Sequence, residues 1–270
     1  MTDVLEDIVR KTRDRLKAQK RRLPLAELQK QASQRQNLHS FSQALHRPDG
    51  MAVIAEVKQA SPSAGVIREE SNVLGRIQGY ARGGASALSI LTEEYYFHGS
   101  PHVLELARQH TELPILRKDF IVDPYQVEES RRMGADALLL ITTLLPPAQL
   151  KELLDHTQAI GLEALVELHD EKDLDKALKA GANLIGINHR NLRTLQMDLT
   201  LAKRLIPLIP PSGKTIVVES GLKDAAELAP LRELGAHAVL IGETLMRHPD
   251  PEQIVHQFVE GGRSDARRPS

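Results

Sequence analysis

The sequence has no cysteine and no tryptophan in 270 residues, and only four phenylalanines and four tyrosines. Without cysteine there is no disulfide framework and no thiolate metal site. Without tryptophan the chain adds little background to the fluorescence of an aromatic ligand. Neither sign of charge dominates: 35 basic residues stand against 36 acidic ones, which argues against a dedicated nucleic-acid binder. No apolar run approaches the roughly 18 residues that span a bilayer. The start, Met1 to Asp7, lacks the basic-then-apolar order of a secretory signal. A soluble cytoplasmic protein, with neither nucleic acid nor membrane as a partner, is the simplest expectation. No Gly-x-Gly-x-x-Gly follows the first apolar run, which weighs against a dinucleotide fold.

What is present is a repeating pattern. Residues 2–22 read as a helix, with Thr2 or Asp3 as cap and Val4, Leu5, Ile8, Val9 and Leu16 as its apolar stripe. Its basic half, from Arg10 to Arg22, reads as a solvated face. A second amphipathic piece runs from Pro24 to Ala32. The polar stretch 33–50 ends in Pro48-Asp49-Gly50 and reads as a loop. From Met51 on, short apolar runs alternate with helical segments: 52–58, 86–92, 114–120, 136–142, 163–168, 184–189, 215–220 and 237–242. Such alternation implies parallel strands joined by right-handed crossovers, and eight units fit a closed barrel. Gly84-Ala85, Gly134-Ala135, Gly181-Ala182 and Gly235-Ala236 each end a helix and enter a strand, with the glycine suited to a left-handed cap. A doubly wound open sheet could use the same turns. The expected fold is α/β, a (β/α)8 TIM barrel over 51–260, with a helical extension over 1–50 and a disordered tail over 261–270.

Ionisable residues collect where the apolar runs end. Glu56 and Lys58, two apart, face one side of the first strand. Lys118 ends the third, Glu167 the fifth, Asn188 the sixth, and Glu219-Ser220 the seventh. Charge within buried strands is costly unless paired or used, and the C-terminal ends of barrel strands are where such enzymes place their chemistry. A single Glu at a strand end is commonly an ion-pair partner, and Glu56–Lys58 could simply cap the barrel. Two lysines, three glutamates and an asparagine on five strand ends suit proton transfers on an organic substrate. Two lysines in one mouth repel, which lowers the pKa of at least one. A lysine so tuned could be a general acid or a Schiff-base nucleophile.

A phosphate site is a second candidate. Ser61-Pro62-Ser63-Ala64-Gly65 follows the first strand, Ser220-Gly221 the seventh, and Gly242-Glu243-Thr244 the eighth. Barrels bind phosphate after strands seven and eight, and glycine permits close backbone approach. The alternative is that Gly221 and Gly242 serve only as turns. His98 and His102 are four apart, but Pro101 breaks the register, so no metal site is expected.

These segments resemble the indole-3-glycerol-phosphate synthase family of tryptophan biosynthesis. The resemblance is carried by Ile54 to Ser63, Leu91 to Ser100, Leu116 to Tyr125, Val166 to His169, Gly186 to Leu192, Val218 to Gly221 and Leu240 to Glu243. It implies a lyase that closes, decarboxylates and dehydrates 1-(2-carboxyphenylamino)-1-deoxyribulose 5-phosphate, with no cofactor or metal. It also implies an N-terminal helix over the barrel mouth, in a monomer or weak dimer. By position, Lys118 would be the general acid and Glu167 the later base. Lys58 would hold the substrate carboxylate and protonate the departing hydroxyl. Glu56 would orient the lysines, Asn188 the ring or hydroxyl, and Glu219 and Ser220 would line the sugar side. Ser61, Gly221 and Gly242, with Arg190 and Glu243, would serve substrate and phosphate binding, and Phe97 and Phe120 would wall the ring. Ala64, His189 and Asn191 depart from the cation, Asn or Ser, and Asp that many members carry there. Another phosphosugar barrel, including a Schiff-base lyase, and a non-catalytic barrel are the competing readings.

Overall fold

The computed structural model describes residues 4–263. Eight parallel strands follow one another around a closed ring: β1 (Ala52–Val57), β2 (Ala87–Leu91), β3 (Ile115–Lys118), β4 (Ala137–Ile141), β5 (Glu163–Leu168), β6 (Leu184–Asn188), β7 (Thr215–Glu219) and β8 (Ala238–Ile241). β1 pairs with β8 to close it, Ala52 opposite Ala238. Before the ring come α1 (Val4–Arg22), α2 (Leu25–Ser33) and α3 (Phe41–Ala44). The outer layer is α4 (Val73–Arg82), α5 (Pro101–His110), α6 (Pro124–Met133), α7 (Pro147–Ala159), α8 (Glu171–Ala180), α9 (Leu201–Leu205), α10 (Leu228–Glu233), α11 (Glu243–Arg247) and α12 (Pro251–Gly261). This is the TIM barrel that the alternation implied.

Strand parity sorts the core into two. Ala52, Ile54, Ala87, Leu116, Leu139, Leu165, Leu184, Val217 and Leu240 pack together inside the ring. Val53, Ala55, Leu88, Ile115, Leu138, Val166, Ile185 and Val218 pack outward against the helices. Side chains alternate along a strand, so the inward parity runs on from Ile54 to Glu56, from Leu116 to Lys118, from Leu165 to Glu167 and from Val217 to Glu219. The apolar filling of the ring thus changes to ionisable groups at one end. The four repeated glycines all adopt left-handed φ, between 90° at Gly84 and 104° at Gly134, and the alanine after each is buried.

The N-terminal segment encloses the ring from three sides. Leu5 and Ile8 of α1 sit on the inner core from the mouth. Leu16, with Leu28 of α2, joins the outer core, so this part does more than cover the mouth. At the opposite end α3 is a plug. Phe41 and Leu45 are fully buried and pack with Ala52 and Leu184 inside the ring. The Ser42 N–H donates to the Glu163 carboxylate at 3.1 Å, at the start of β5, and the His46 ring meets the Thr215 hydroxyl at 2.8 Å, at the start of β7. The expected loop over 33–50 is therefore corrected. A four-residue helix is too short to show a 3.6-residue period, and its two apolar residues do not announce a core role.

Two further expectations need correction. The basic half of α1 is not uniformly solvated. Arg13, Lys17, Arg21 and Arg22 are exposed, but the Arg15 guanidinium reaches Asp119 at 3.2 Å with only 12% of its side chain exposed. Gln19 donates to Glu129 at 3.0 Å and Lys20 to Asp123 at 2.7 Å. Acidic partners just beyond β3 draw Arg15 and Gln19 in, while Lys20 pairs with Asp123 at the surface. The tail does not begin at 261: Gly261 ends α12 and Arg263 bridges to Gly50 beside β1, which satisfies backbone groups that a free tail would leave to water. The rest of that tail, 264–270, and the caps Thr2 and Asp3 lie outside the described residues.

Phe41→Ala should cost about 3–5 kcal/mol of unfolding free energy, the usual range for emptying a packed aromatic site. Chemical denaturation would measure it, and a loss below about 1 kcal/mol would show that the plug is not packed.

Candidate active site

The inward residues at the C-terminal strand ends line one cavity of about 1110 Å³. All fourteen residues singled out by the sequence lie on its wall: Glu56, Lys58, Ser61, Phe97, Lys118, Phe120, Glu167, Asn188, Arg190, Glu219, Ser220, Gly221, Gly242 and Glu243. Val4, Leu5 and Ile8 of α1 roof it.

Two lysine clusters form its polar floor. Lys58 Nζ meets Glu56 Oε1 at 2.8 Å, and Ser89 on the neighbouring β2 donates to the other Glu56 oxygen at 3.3 Å. Lys118 Nζ donates to Glu167 Oε2 at 2.8 Å and closely to Glu219 Oε2. Burial opposes the charge of Lys118, but Glu167, Glu219 and Glu56 outweigh it and raise its pKa far above the ordinary lysine value. Lysine–lysine repulsion, expected from the sequence to bring a lysine down toward neutrality, does not govern Lys118. Its nearest neighbours are carboxylates, at hydrogen-bonding distance. The pair it bridges is split. Glu167 is held well below the carboxylate range, where burial is overcome by Lys118 and His169. Glu219 is pushed up to about 7, by burial first and then by the charge of Glu167.

Behind Lys118 lies a buried ionic network. Arg117, fully buried, donates to Asp119 at 2.9 Å and to Glu129 at 2.8 Å. Thr92 donates to the same Asp119 oxygen at 2.7 Å. Burial works against the Asp119 carboxylate, yet Arg117 and Arg15 hold it down to about 2. The backbone on both sides of Lys118 is therefore fixed, with α1 contributing through Arg15.

The apolar wall is Phe97 and Phe120, ring centroids 6.0 Å apart, with Leu139, Leu192 and Leu195. The glycines do more than make turns. A side chain at Gly242 would collide with the Glu56 carboxylate, and one at Gly221 would meet Met197 and Leu199. Ser220 before it takes a left-handed φ of 67°, and its carbonyl accepts from the His189 ring at 3.1 Å. Asn188 accepts from the Arg190 N–H at 3.0 Å. The Glu243 carboxylate is paired with Arg247 at 2.9 Å, so only its backbone could serve a phosphate. Asn191 closes its own turn by accepting from the Arg193 and Thr194 N–H groups at 2.9 and 3.0 Å. Ala64, at the tip of a two-stranded hairpin (Ala60–Ser61 with Gly65–Val66), donates its N–H to Ser61 at 3.2 Å.

Sequence reasoning passed over His169, Ser89 and Gly186. Each shares the inward parity, with Glu167, Glu56 and Asn188 as guides, and that parity was the available signal. His169 Nε2 lies 3.2 Å from Glu167 Oε1. Gly186 has no side chain where one would strike the Glu219 carboxylate. Among the described residues no group of side chains suited to a metal ion forms.

The family model for indole-3-glycerol phosphate synthase matches residues 5–258. The chain belongs to that family. It is 46% identical over 253 residues to the indole-3-glycerol phosphate synthase of Carboxydothermus hydrogenoformans, covering 92% of this chain and 96% of that one. The Campylobacter fetus enzyme of that name is 48% identical, over 90% and 94% of the two chains. The one from Sulfurimonas denitrificans is 47% identical, over 96% and 99%. Among solved structures, 3-hexulose-6-phosphate synthase from Salmonella typhimurium superposes with a TM-score of 0.64 at 10% identity, covering 78% of this chain and 98% of that one. At that identity the likeness speaks for the barrel alone.

Gly186→Ala should leave the barrel folded and push Glu219 off Lys118. A displacement near 1 Å at a reacting group costs about 10²-fold in turnover. Circular dichroism paired with a turnover assay would check it, and unchanged kcat would mean that Glu219 need not contact Lys118.

Proposed function

We propose that the chain converts 1-(2-carboxyphenylamino)-1-deoxyribulose 5-phosphate to indole-3-glycerol phosphate, carbon dioxide and water, as a decarboxylating lyase of tryptophan biosynthesis. The observation that carries the mechanism is the Lys118 ammonium held between Glu167 and Glu219 at the floor of an apolar-walled cavity. The cavity supplies what each part of the substrate needs: Phe97 and Phe120 for the aryl ring, Lys58 for the carboxylate, and the backbone around Ser61, Gly221 and Gly242 for the phosphate.

In ring closure the aryl carbon attacks the ketone, and negative charge grows on the ketone oxygen. Lys118, kept cationic by its carboxylates, stabilises that charge and delivers a proton as the bond forms. Loss of carbon dioxide returns the electron pair of the broken bond to the aryl ring, which regains its aromaticity. Dehydration then needs a base and an acid. Glu167, ionised, takes the ring proton, and Lys58 protonates the departing hydroxyl. Glu56 and Glu219 orient the two lysines, and Asn188, Arg190 and Ser220 bind along the substrate. Leu5 and Ile8 of α1 exclude water from above, which strengthens every charge interaction inside. A Schiff-base lyase, the rival from the same fold, needs a neutral amine, and the three carboxylates around Lys118 work against one. We place the enzyme in the cytoplasm, in keeping with a chain that has no cysteine to form disulfides.

Turnover can be followed by indole fluorescence, since the chain has no tryptophan. Lys118→Ala should lose about 10²–10⁴-fold in kcat, the span of general acid catalysis, with a modest change in KM. A variant within about tenfold of wild type would remove Lys118 from this role. The dephosphorylated substrate should lose kcat as well as affinity, because remote binding energy is used at the reacting centre. Equal kcat/KM for both substrates would remove the phosphate site.

A further inference from the structure

The two carboxylates on Lys118 are alike in one oxygen and unlike in the other. Oε2 of each accepts from Nζ. Oε1 makes no hydrogen bond in either, but Oε1 of Glu167 lies 3.2 Å from His169 Nε2, whereas the ion pair of Glu219 is with Lys118. His169 is itself held from behind. Its Nδ1 lies 3.2 Å from Thr143 Oγ1, and Thr143 donates onward to Asp173 Oδ2 at 3.1 Å. The same Asp173 oxygen accepts the His169 backbone N–H at 3.1 Å. With the Thr143 proton committed to Asp173, Nδ1 must donate to Thr143. Nε2 makes no aligned hydrogen bond, but its 3.2 Å approach to a carboxylate oxygen is attractive only if the ring is cationic, so the geometry calls for an imidazolium. Its side chain is 4% exposed, which leaves little water to do that work instead.

We propose that His169 decides which carboxylate on Lys118 stays ionised: it keeps Glu167 as the base and leaves the proton that the pair shares to Glu219. His169 is thus a positioning residue, acting on substrate through Glu167. Two carboxylates on one cation titrate as a pair, and identical surroundings would divide the proton equally. A cation beside one of them breaks the tie. Lys118 bears on both carboxylates, Glu56 pushes the same way as His169 by raising Glu219, and Lys176 of α8 is turned to the Thr142 and Leu145 carbonyls at 2.7 and 3.1 Å. Asp173 acts through the imidazole. Burial opposes the His169 charge, but Asp173 and Glu167 bring its pKa up to about 9, so the cation persists while the carboxylate pair titrates around neutrality.

The inference rests on Glu167 being the base. The test is the pH dependence of kcat/KM in His169→Gln, a neutral replacement of similar reach. At roughly pH 6, where the pair holds a proton, an even division leaves Glu167 ionised in about half the molecules, so the variant should lose at least about twofold against wild type. At roughly pH 8.5 neither carboxylate is protonated, and that loss should vanish. Equal impairment at both pH values would overturn the inference, since misfolding or lost packing is not mended by base. If that variant does not fold, histidine-labelled NMR of the native chain decides. The His169 ring should titrate well above free histidine, and its pKa should fall far more in Glu167→Gln than in Glu219→Gln. Equal or absent shifts would overturn it. Should Glu167→Gln keep turnover within about tenfold of wild type, the base assignment fails instead, whatever His169 does.

Discussion

The structure turns on one buried cation between two carboxylates. An isolated ammonium among the strand ends would cost several kcal/mol in lost hydration, and so would each carboxylate. Together they hold each other in place, and every nearby choice of residue serves that arrangement. Gly186 clears space for Glu219, and Gly242 for Glu56. Arg117 and Asp119 fix the strand on either side of Lys118. Two lysines face three glutamates across the floor, so opposite charges alternate there and offset one another within a small volume.

The same network ties the roof to the floor. Arg15 on α1 and Arg117 on β3 converge on one oxygen of Asp119, the residue next to Lys118. Further along the helix, Gln19 and Lys20 grip the start and middle of α6. At its other end Asp7 accepts from the Tyr96 hydroxyl at 2.6 Å, and Lys11 lies over the rings of Tyr95 and Tyr96. The helix is held along its length by polar contacts, while Leu5 and Ile8 present their apolar faces to the cavity.

Much of this was legible in the sequence, for physical reasons that can be named. Eight apolar runs separated by helical stretches leave few topologies, and each Gly-Ala pair marks a helix end. Charged residues at the ends of apolar runs stand out because burial penalises them. What escaped was of two kinds. Phe41 and Leu45 belong to the core but sit in a polar stretch, where two apolar residues and a short helix make no pattern. The direction of the Lys118 shift escaped because it depends on which groups lie within about 3 Å, and strand parity says which residues share a mouth without saying which of them touch. Arg15 was misread for a related cause: a basic helix face looks alike whether it meets water or Asp119.

The seam of the barrel has a consequence for the order of assembly. β1 closes against β8, so the ring cannot shut until nearly the whole chain has left the ribosome. The plug at Phe41 anchors to the starts of β5 and β7 and must also wait. The contacts of α1, by contrast, are with Asp119, Asp123 and Glu129, which are available before half the chain is made. The helix that roofs the finished cavity can therefore dock on the loop after β3 and on α6 during synthesis, while the parallel sheet is still incomplete and most exposed to wrong partners.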